Sequence, residues 1–443
     1  MRRRGAEFAG WMLALVVASP VAAQRIDCTE AAYERAIADA NAAGGNTTIT
    51  FNCAPGTIIP ITPGRYGYRV ITASNVVIDG ENKVSLDMTP PWWDAITNLC
   101  GGANCDPDGD NLPNACPDTN DGTTSMWVLQ IRGSGSKLKN ITYRYFMEGV
   151  RMEASGAELD GVTGVMPGDE VLSNPGGSNV VIRNSTFLNA CDKNIQAYGN
   201  EPLGGTNWDM QIYDTTISNS SSHIRMSGSS ARGRFLLERV TFNAADPPSS
   251  LFTARGPYIG DEGGTEPIAL YMKDSTVTGT TRGLRITGAA HYISLGGNTF
   301  SGNSLRGLQC SGSSRCLVQN DTFTGNGGGS TGGDPIPGYG GIAVGQSAVV
   351  DAGGGSQTLD GAIRSSSGNN TLTGNRSSSD TTLDFHNLTT VAMQAQNNWW
   401  GDVDPSNQVT GPVTYSPFLS SPPGSGGGTA PTDVENVRRT DRR

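Results

Sequence analysis

Apolar residues along most of this chain come in short alternating runs that end at Gly, Asn or Asp, the pattern of brief strands bounded by turns. One segment departs from it. From Thr29 to Ala42 the apolar residues Tyr33, Ala36, Ile37 and Ala40 fall on one face at helical spacing, and Gly44-Gly45 follows. That spacing predicts an amphipathic helix placed to cover the first strands and hide a sheet edge.

The strands recur with a signature, Asn/Asp-x-Thr followed by Phe, Ile, Val or Tyr. It appears at Asn140-Ile-Thr-Tyr143, Asn184-Ser-Thr-Phe187, Asp214-Thr-Thr-Ile217, Asp274-Ser-Thr-Val277 and Asn320-Asp-Thr-Phe323, with variants at Gly161, Arg239 and Asn298. The threonines stand at 142, 163, 186, 216, 241, 276, 299 and 322, mostly 21 to 25 residues apart with two longer steps. Behind each comes a polar bend and a strand ending near Gly, such as "GVRMEASG", "KNIQAYG" and "SHIRMSG". Strands this short bury a face only when stacked on copies of themselves, so the period predicts an all-β solenoid, a parallel β-helix. Because the Asn-x-Thr/Ser triplets recur at one point of successive coils, they are expected to form a structural ladder; glycosylation is the minor alternative. "NNWWGDVDP" and "GPVTYSPFL" are expected to close the last coil with aromatic residues, and residues 421–443 read as a Gly/Pro-rich disordered tail.

Counting from each threonine places Val150, Val171, Ile195, Ile224, Leu251, Leu284 and Leu308 inward. The residues just after them, Arg151, Leu172, Gln196, Arg225, Phe252, Arg285 and Gln309, then form one outward column. Those before them bring Glu148, Asp169, Glu170 and Lys193 together on neighbouring coils. The bland reading of such charges is a solvated surface worth about 0–1 kcal/mol per pair. The chemical reading starts from clustered carboxylates, which repel unless a cation neutralises them and whose oxygens suit Ca²⁺. A lysine beside an arginine and a metal is then disposed to act as a base. These are the parts of β-elimination on a uronic acid, in which a base removes the proton at C5 while an arginine forks the sugar carboxylate.

Composition and charge narrow the setting. Arg2, Arg3 and Arg4, an apolar run from Trp11 to Val17 and the ending Val21-Ala22-Ala23 read as a secretory leader over residues 1–23, with the solenoid over 24–420. The formal charge is −10, and removing the leader's three arginines and one glutamate makes it −12, which argues against a general nucleic-acid binder. All eight cysteines follow the leader, as expected of a secreted, disulfide-bearing protein without a membrane span, and the expected partner is an acidic polysaccharide. Cys28 is expected to pair with Cys53 and Cys310 with Cys316; pairings among Cys100, Cys105, Cys116 and Cys191 stay open. A catalytic thiol at Cys191 is disfavoured by the even cysteine count. A monomer is expected.

The succession "GVRMEASG", "DGVTGVMPGDEVLS", "NACDKNIQAYG", "SHIRMSG" over residues 145–230 resembles that of the compact β-helical pectate lyases, with Cys191 standing where the motif has its first acid. The resemblance implies a right-handed parallel β-helix and a secreted, Ca²⁺-dependent polysaccharide lyase. It implies Ca²⁺ at Asp169 and Glu170 with Glu148, Glu153 or Asp192 as helpers, Lys193 as proton abstractor and Arg225 as its catalytic partner. Arg151, Gln196, Arg255 and Arg285 are the expected substrate contacts. Two alternatives stand beside it. A pectin-type hydrolase would need paired aspartates and a Gly-His-Gly-like element, and His223, His291 and His386 are not so placed. A non-catalytic β-helix that binds surface glycan or acts as an adhesin needs none of the acid, lysine and arginine strip.

Between "VSLDM" and "MWVLQI" lies an acidic, cysteine-containing insertion, residues 99–125. Its Asp106-x-Asp108-x-Asp110 resembles the Ca²⁺ loops of thrombospondin type 3 repeats, and no glutamate completes an EF-hand. It is either a structural Ca²⁺ loop or an unmetallated acidic loop. Trp92, Trp93 and Trp127 are candidates for stacking on sugars, with buried packing the expected use.

Overall fold

The computed structural model describes residues 22–62, 68–88, 127–146, 148–165, 170–226, 232–244, 255–260, 267–329 and 339–423, without the side chains of Cys191, Asp192, Ser221 and Ser222. Within them the chain is a parallel β-helix of three long sheets, each of 11 to 14 strands. Sheet A runs from Ala22–Ile26 to Val413–Thr414, sheet B from Thr57–Pro60 to Thr371–Thr373, and sheet C from Val70–Ile71 to Val409–Thr410. Two long strands, Thr186–Ala197 and Thr216–Met226, bend from sheet B into sheet C, with a register shift between Ala190 and Lys193.

The repeat has a local physical cause. The threonines pair across coils in strict register, Thr142, Thr163, Thr186, Thr216, Thr241, Thr276, Thr299, Thr322 and Thr371. Two residues before each, the backbone turns with positive φ, for example Asn184 at 50°, Asp274 at 47° and Asn320 at 53°. Only Gly, Asn and Asp visit that region cheaply, which explains the first letter of the signature. The residue after each threonine points inward, and Tyr143, Phe187, Ile217, Phe242, Val277, Phe300, Phe323 and Leu372 are all fully buried. The Phe300 and Phe323 rings stack 4.7 Å apart.

Towards the C-terminal coils this interior carries amide ladders. Asn303 Nδ2 donates to Asn326 Oδ1 and Asn326 Nδ2 to Asn375 Oδ1, both at 2.8 Å, and Asn375 donates on to Asp384 Oδ1. A second ladder links Asn298 to Asp321 and Asn370 to Asn398. Buried amides are tolerated because each donates to the next coil. Burial drives the Asp321 carboxyl up to about 7 and Asp384 up to about 6.

At the N-terminal end the helix Glu30–Ala42 forms with Thr29 as its N-cap, and Tyr33, Ala36, Ile37 and Ala40 are buried against the first strands. Its polar side chains satisfy neighbouring backbone. Asn41 donates to the Val70 carbonyl and accepts from the Thr72 and Ala73 N–H groups. Buried Arg69 pairs with both Glu30 and Glu34 at 3.0 Å. At the other end Trp400 is fully buried, with the Tyr415 ring edge-on at 6.4 Å and Phe418 packed beside the core.

Both expected disulfides, Cys28–Cys53 and Cys310–Cys316, are formed. No helix among the described residues is long and apolar enough to cross a membrane. Ala22 and Ala23, assigned to the end of the leader, pair with Thr47 and Thr48 in sheet A. The rest of the segment expected to be a leader, Trp92 and Trp93, Cys100, Cys105 and Cys116, the Asp106, Asp108, Asp110 segment and residues 424–443 lie outside the described residues.

Candidate functional site: an arginine and tyrosine column beside a buried Lys–Glu pair

Sheet C aligns the residues on which the chemistry was expected to rest, with two changes of register. Val150 pairs with Leu172 and Leu172 with Ile195, so the inward residue of that coil is Leu172 and not Val171. Val171 is buried too, because its side chain fills the room left by Gly164; a Cβ on Gly164 would stand 2.4 Å from Val171 Cγ1. The strand Glu170–Asn174 is therefore buried throughout and shows no alternation from which to read its phase. The correction moves Ser173 into the outward column in place of Leu172. It also sets Glu170, not Asp169, opposite Lys193.

The second change lies one coil beyond Arg225. Its column neighbour is Tyr258, which pairs with Arg225 on one side and Arg285 on the other. Leu251 and Phe252, expected at that level, lie outside the described residues. The long step from Thr241 to Thr276 places the strand later than counting from Thr241 suggests.

The corrected column runs Gln130, Arg151, Ser173, Gln196, Arg225, Tyr258, Arg285, Gln309. Neighbouring strands are about 4.8 Å apart, so it forms a continuous polar strip along the solenoid axis. At its centre the Tyr258 ring lies between two guanidinium groups, 5.9 Å from Arg225 and 4.9 Å from Arg285. Arg225 is exposed and Arg285 buried. Gln196 donates to the Tyr198 hydroxyl. Arg255 is exposed and joins the neighbouring bend by backbone alone: its N–H donates to Ser220 O and its carbonyl accepts from His223 N.

Arg151 sits 5.3 Å over Trp127, which is buried, and donates to Glu153 Oε1 at 2.5 Å. Glu153 also accepts from Gln130 and Arg132, both at 2.8 Å. Burial pushes the Glu153 carboxyl up, but the bonds from Arg132 and Arg151 outweigh it and hold the group below the usual carboxylate range. Glu153 is thus committed to two arginines, an arrangement that leaves it a poor metal ligand.

Beside the column, at the bend between sheets B and C, Lys193 Nζ lies 3.5 Å from Glu170 Oε1. Both side chains are only 9% exposed, so the strip is not the solvated surface that bare alternation suggests. The same register carried back two residues sets Glu148 beside Glu170 on the preceding coil. These two carboxylates offer the hard oxygen donors that Ca²⁺ takes, though fewer than its usual six to eight ligands. Asp169 and the Asp192 side chain lie outside the described residues, and among the described residues no three His, Cys, Asp or Glu groups come together as a metal site. His223, on the coil after Lys193, is fully buried against Phe242, ring centres 5.9 Å apart, and burial pushes its imidazole down to about 3 despite a partial offset from the Asn243 backbone.

No protein-family model matches the chain, and no curated protein matches it in sequence. Tyr258 and Tyr198 are the site residues that sequence reading missed. The alternation flanking Arg225 pointed to the column, but the insertion before Tyr258 hid its level.

Proposed function

We propose that this is an extracellular protein that binds an acidic, uronate-rich polysaccharide along the sheet C column and cleaves it by β-elimination. The observation that carries the reading is the Arg225, Tyr258, Arg285 stack on consecutive coils, adjoining the Glu170–Lys193 pair. Guanidinium groups fork carboxylates, and a tyrosine face between them offers a platform for a sugar ring. The two disulfides accord with an oxidising compartment.

In this reading Arg225 holds the sugar carboxylate and Lys193, in its neutral form, takes the proton from C5. The electrons of that C–H bond form the C4–C5 double bond, the C4–O bond breaks, and the departing oxygen takes a proton from solvent water to leave as a hydroxyl, while Lys193 later returns its proton to solvent. Glu148 and Glu170 would hold Ca²⁺, together with Asp169 and Asp192. When bound, the ion would neutralise the sugar carboxylate and acidify the proton at C5. Arg151, Gln196, Arg255 and Arg285 would contact neighbouring sugars. A second reading, a non-catalytic glycan-binding β-helix, draws support from the ion pair of Lys193 with Glu170, a structural use for the lysine that requires no chemistry.

The test is the ultraviolet absorbance of the unsaturated product on polygalacturonate, then alginate, at alkaline pH with Ca²⁺ and with chelator. A Ca²⁺-dependent rise that Lys193→Ala abolishes while the fold persists supports elimination. A flat trace on every uronan, with binding retained, leaves the non-catalytic reading.

A further inference from the structure

Outside the three sheets, Gln357–Leu359 and Ala362–Arg364 form an antiparallel hairpin. Its two-residue turn, Asp360-Gly361, has φ of 47° and 75°, the tight form that suits an Asp-Gly pair. The hairpin lies over sheet A and reaches far back along the chain. Asp360 Oδ1 accepts from Gly204 N at 2.7 Å, and Oδ2 accepts from Arg234 Nε at 2.9 Å and from the Tyr271 hydroxyl at 2.5 Å. Leu359 is fully buried among Trp208, Leu236, Tyr271, Ile293 and Leu317, an apolar cluster separate from the solenoid core. Arg364 donates to the Tyr271 hydroxyl from the other arm.

One contact differs in kind from the rest. The Asp360 backbone N–H donates to His291 Nδ1 at 3.0 Å, so the imidazole must keep that nitrogen unprotonated. We propose that the hairpin Gln357–Arg364 is an acid-released strap, freed when His291 takes up a proton and can no longer accept the Asp360 N–H.

The groups facing the ring set the direction of response. Arg315, on the next strand of sheet A, opposes its protonation and the Asp360 carboxylate favours it, while burial and Arg315 together hold the imidazole below its ordinary value. Arg234, Tyr271 and Arg364 meet the same carboxylate or its hydroxyl partner, so Asp360 is already engaged when His291 charges. Protonation then sets an N–H against an N–H. Near neutral pH the strap is closed; below the ordinary imidazole range it opens and uncovers Trp208, Leu236, Tyr271, Ile293 and Leu317. The device lies on sheet A, away from Lys193 and Arg225 on sheet C, and does not depend on the proposed lyase chemistry.

Hydrogen–deuterium exchange of the full chain between about pH 7.5 and about pH 4.5, corrected for intrinsic rates, tests it, since this window spans imidazole titration. Exchange at 357–364 is expected to rise by on the order of tenfold, the worth of one lost hydrogen bond, while strands Thr276–Thr278 and Thr299–Ser301 stay protected. His291→Gln, whose amide oxygen accepts at every pH, should abolish the rise, and Asp360→Ala should show fast exchange throughout. The same acid-dependent rise in His291→Gln, or none in the wild type, overturns the proposal. An NMR titration of His291 in the unaltered protein gives an independent check: a midpoint apart from that of hairpin exchange would also overturn it.

Discussion

His223 gives the most direct test of the energetics of this interior. Its ring is fully buried against Phe242, and its imidazole titrates at about 3 in the fold against an ordinary value near 6.5. A depressed histidine favours the folded state while neutral. Its contribution is whole above the unfolded value, begins to fall below about 6.5 and is gone once pH passes the folded value near 3. At 1.36 kcal/mol per pH unit this amounts to about 5 kcal/mol at most, enough to exhaust the margin of a typical domain. His223→Phe keeps a flat ring for Phe242 to stack on and removes the titration. Urea unfolding of both proteins from about pH 7.5 down to about pH 4 should give similar midpoints at neutral pH and a widening advantage for the variant on acidification. Parallel loss of stability in the two would refute the reasoning and place the acid sensitivity elsewhere.

Three further outcomes follow from the same interior. Asp321 has the opposite sign: its folded value near 7 stands above the usual carboxylate value, so its contribution is complete below about 4 and lost as pH rises to 7. Asp321→Asn, which keeps an acceptor for Asn298, should therefore raise the thermal midpoint at pH 8 and leave it nearly unchanged at pH 4. Asn326→Ala removes a link that Asn303 donates to and that donates to Asn375 and the Phe300 carbonyl, so denaturant titration should show a loss of about 2–4 kcal/mol. Replacing Cys28 and Cys53 by serine opens a 25-residue span and should cost about 3 kcal/mol, read from the shift between oxidised and reduced wild type and the variant.

The solenoid was legible because its signature encodes a backbone conformation as well as a composition. Asn184, Asp214 and Asn320 mark the positive-φ corner, and the aromatic or aliphatic residue after each threonine marks the core. The helix and both disulfides were readable for similarly local reasons. Register failed where burial was uniform: Val171 fills the space beside Gly164, so apolar character no longer reports direction. It failed again where an insertion separates Tyr258 from its threonine. The ladders of Asn303, Asn326 and Asn375 escaped notice because a buried amide looks, in sequence, like a loop residue until its partners one coil away are known. The strap was equally invisible, since its partners stand up to 156 residues distant.

The invariant corner before each threonine also governs where such a chain tolerates change in length. Steps between successive threonines of the ladder vary from 21 residues (Thr142 to Thr163) to 49 (Thr322 to Thr371), yet the register holds throughout. A residue added between Asn184 and Thr186 would turn the rest of that strand over, whereas many residues added at another bend leave the stack intact. The molecule thus works like a rack with one fixed rail and freely variable shelves. New loops can be grafted onto its outer bends while the interior keeps its pitch.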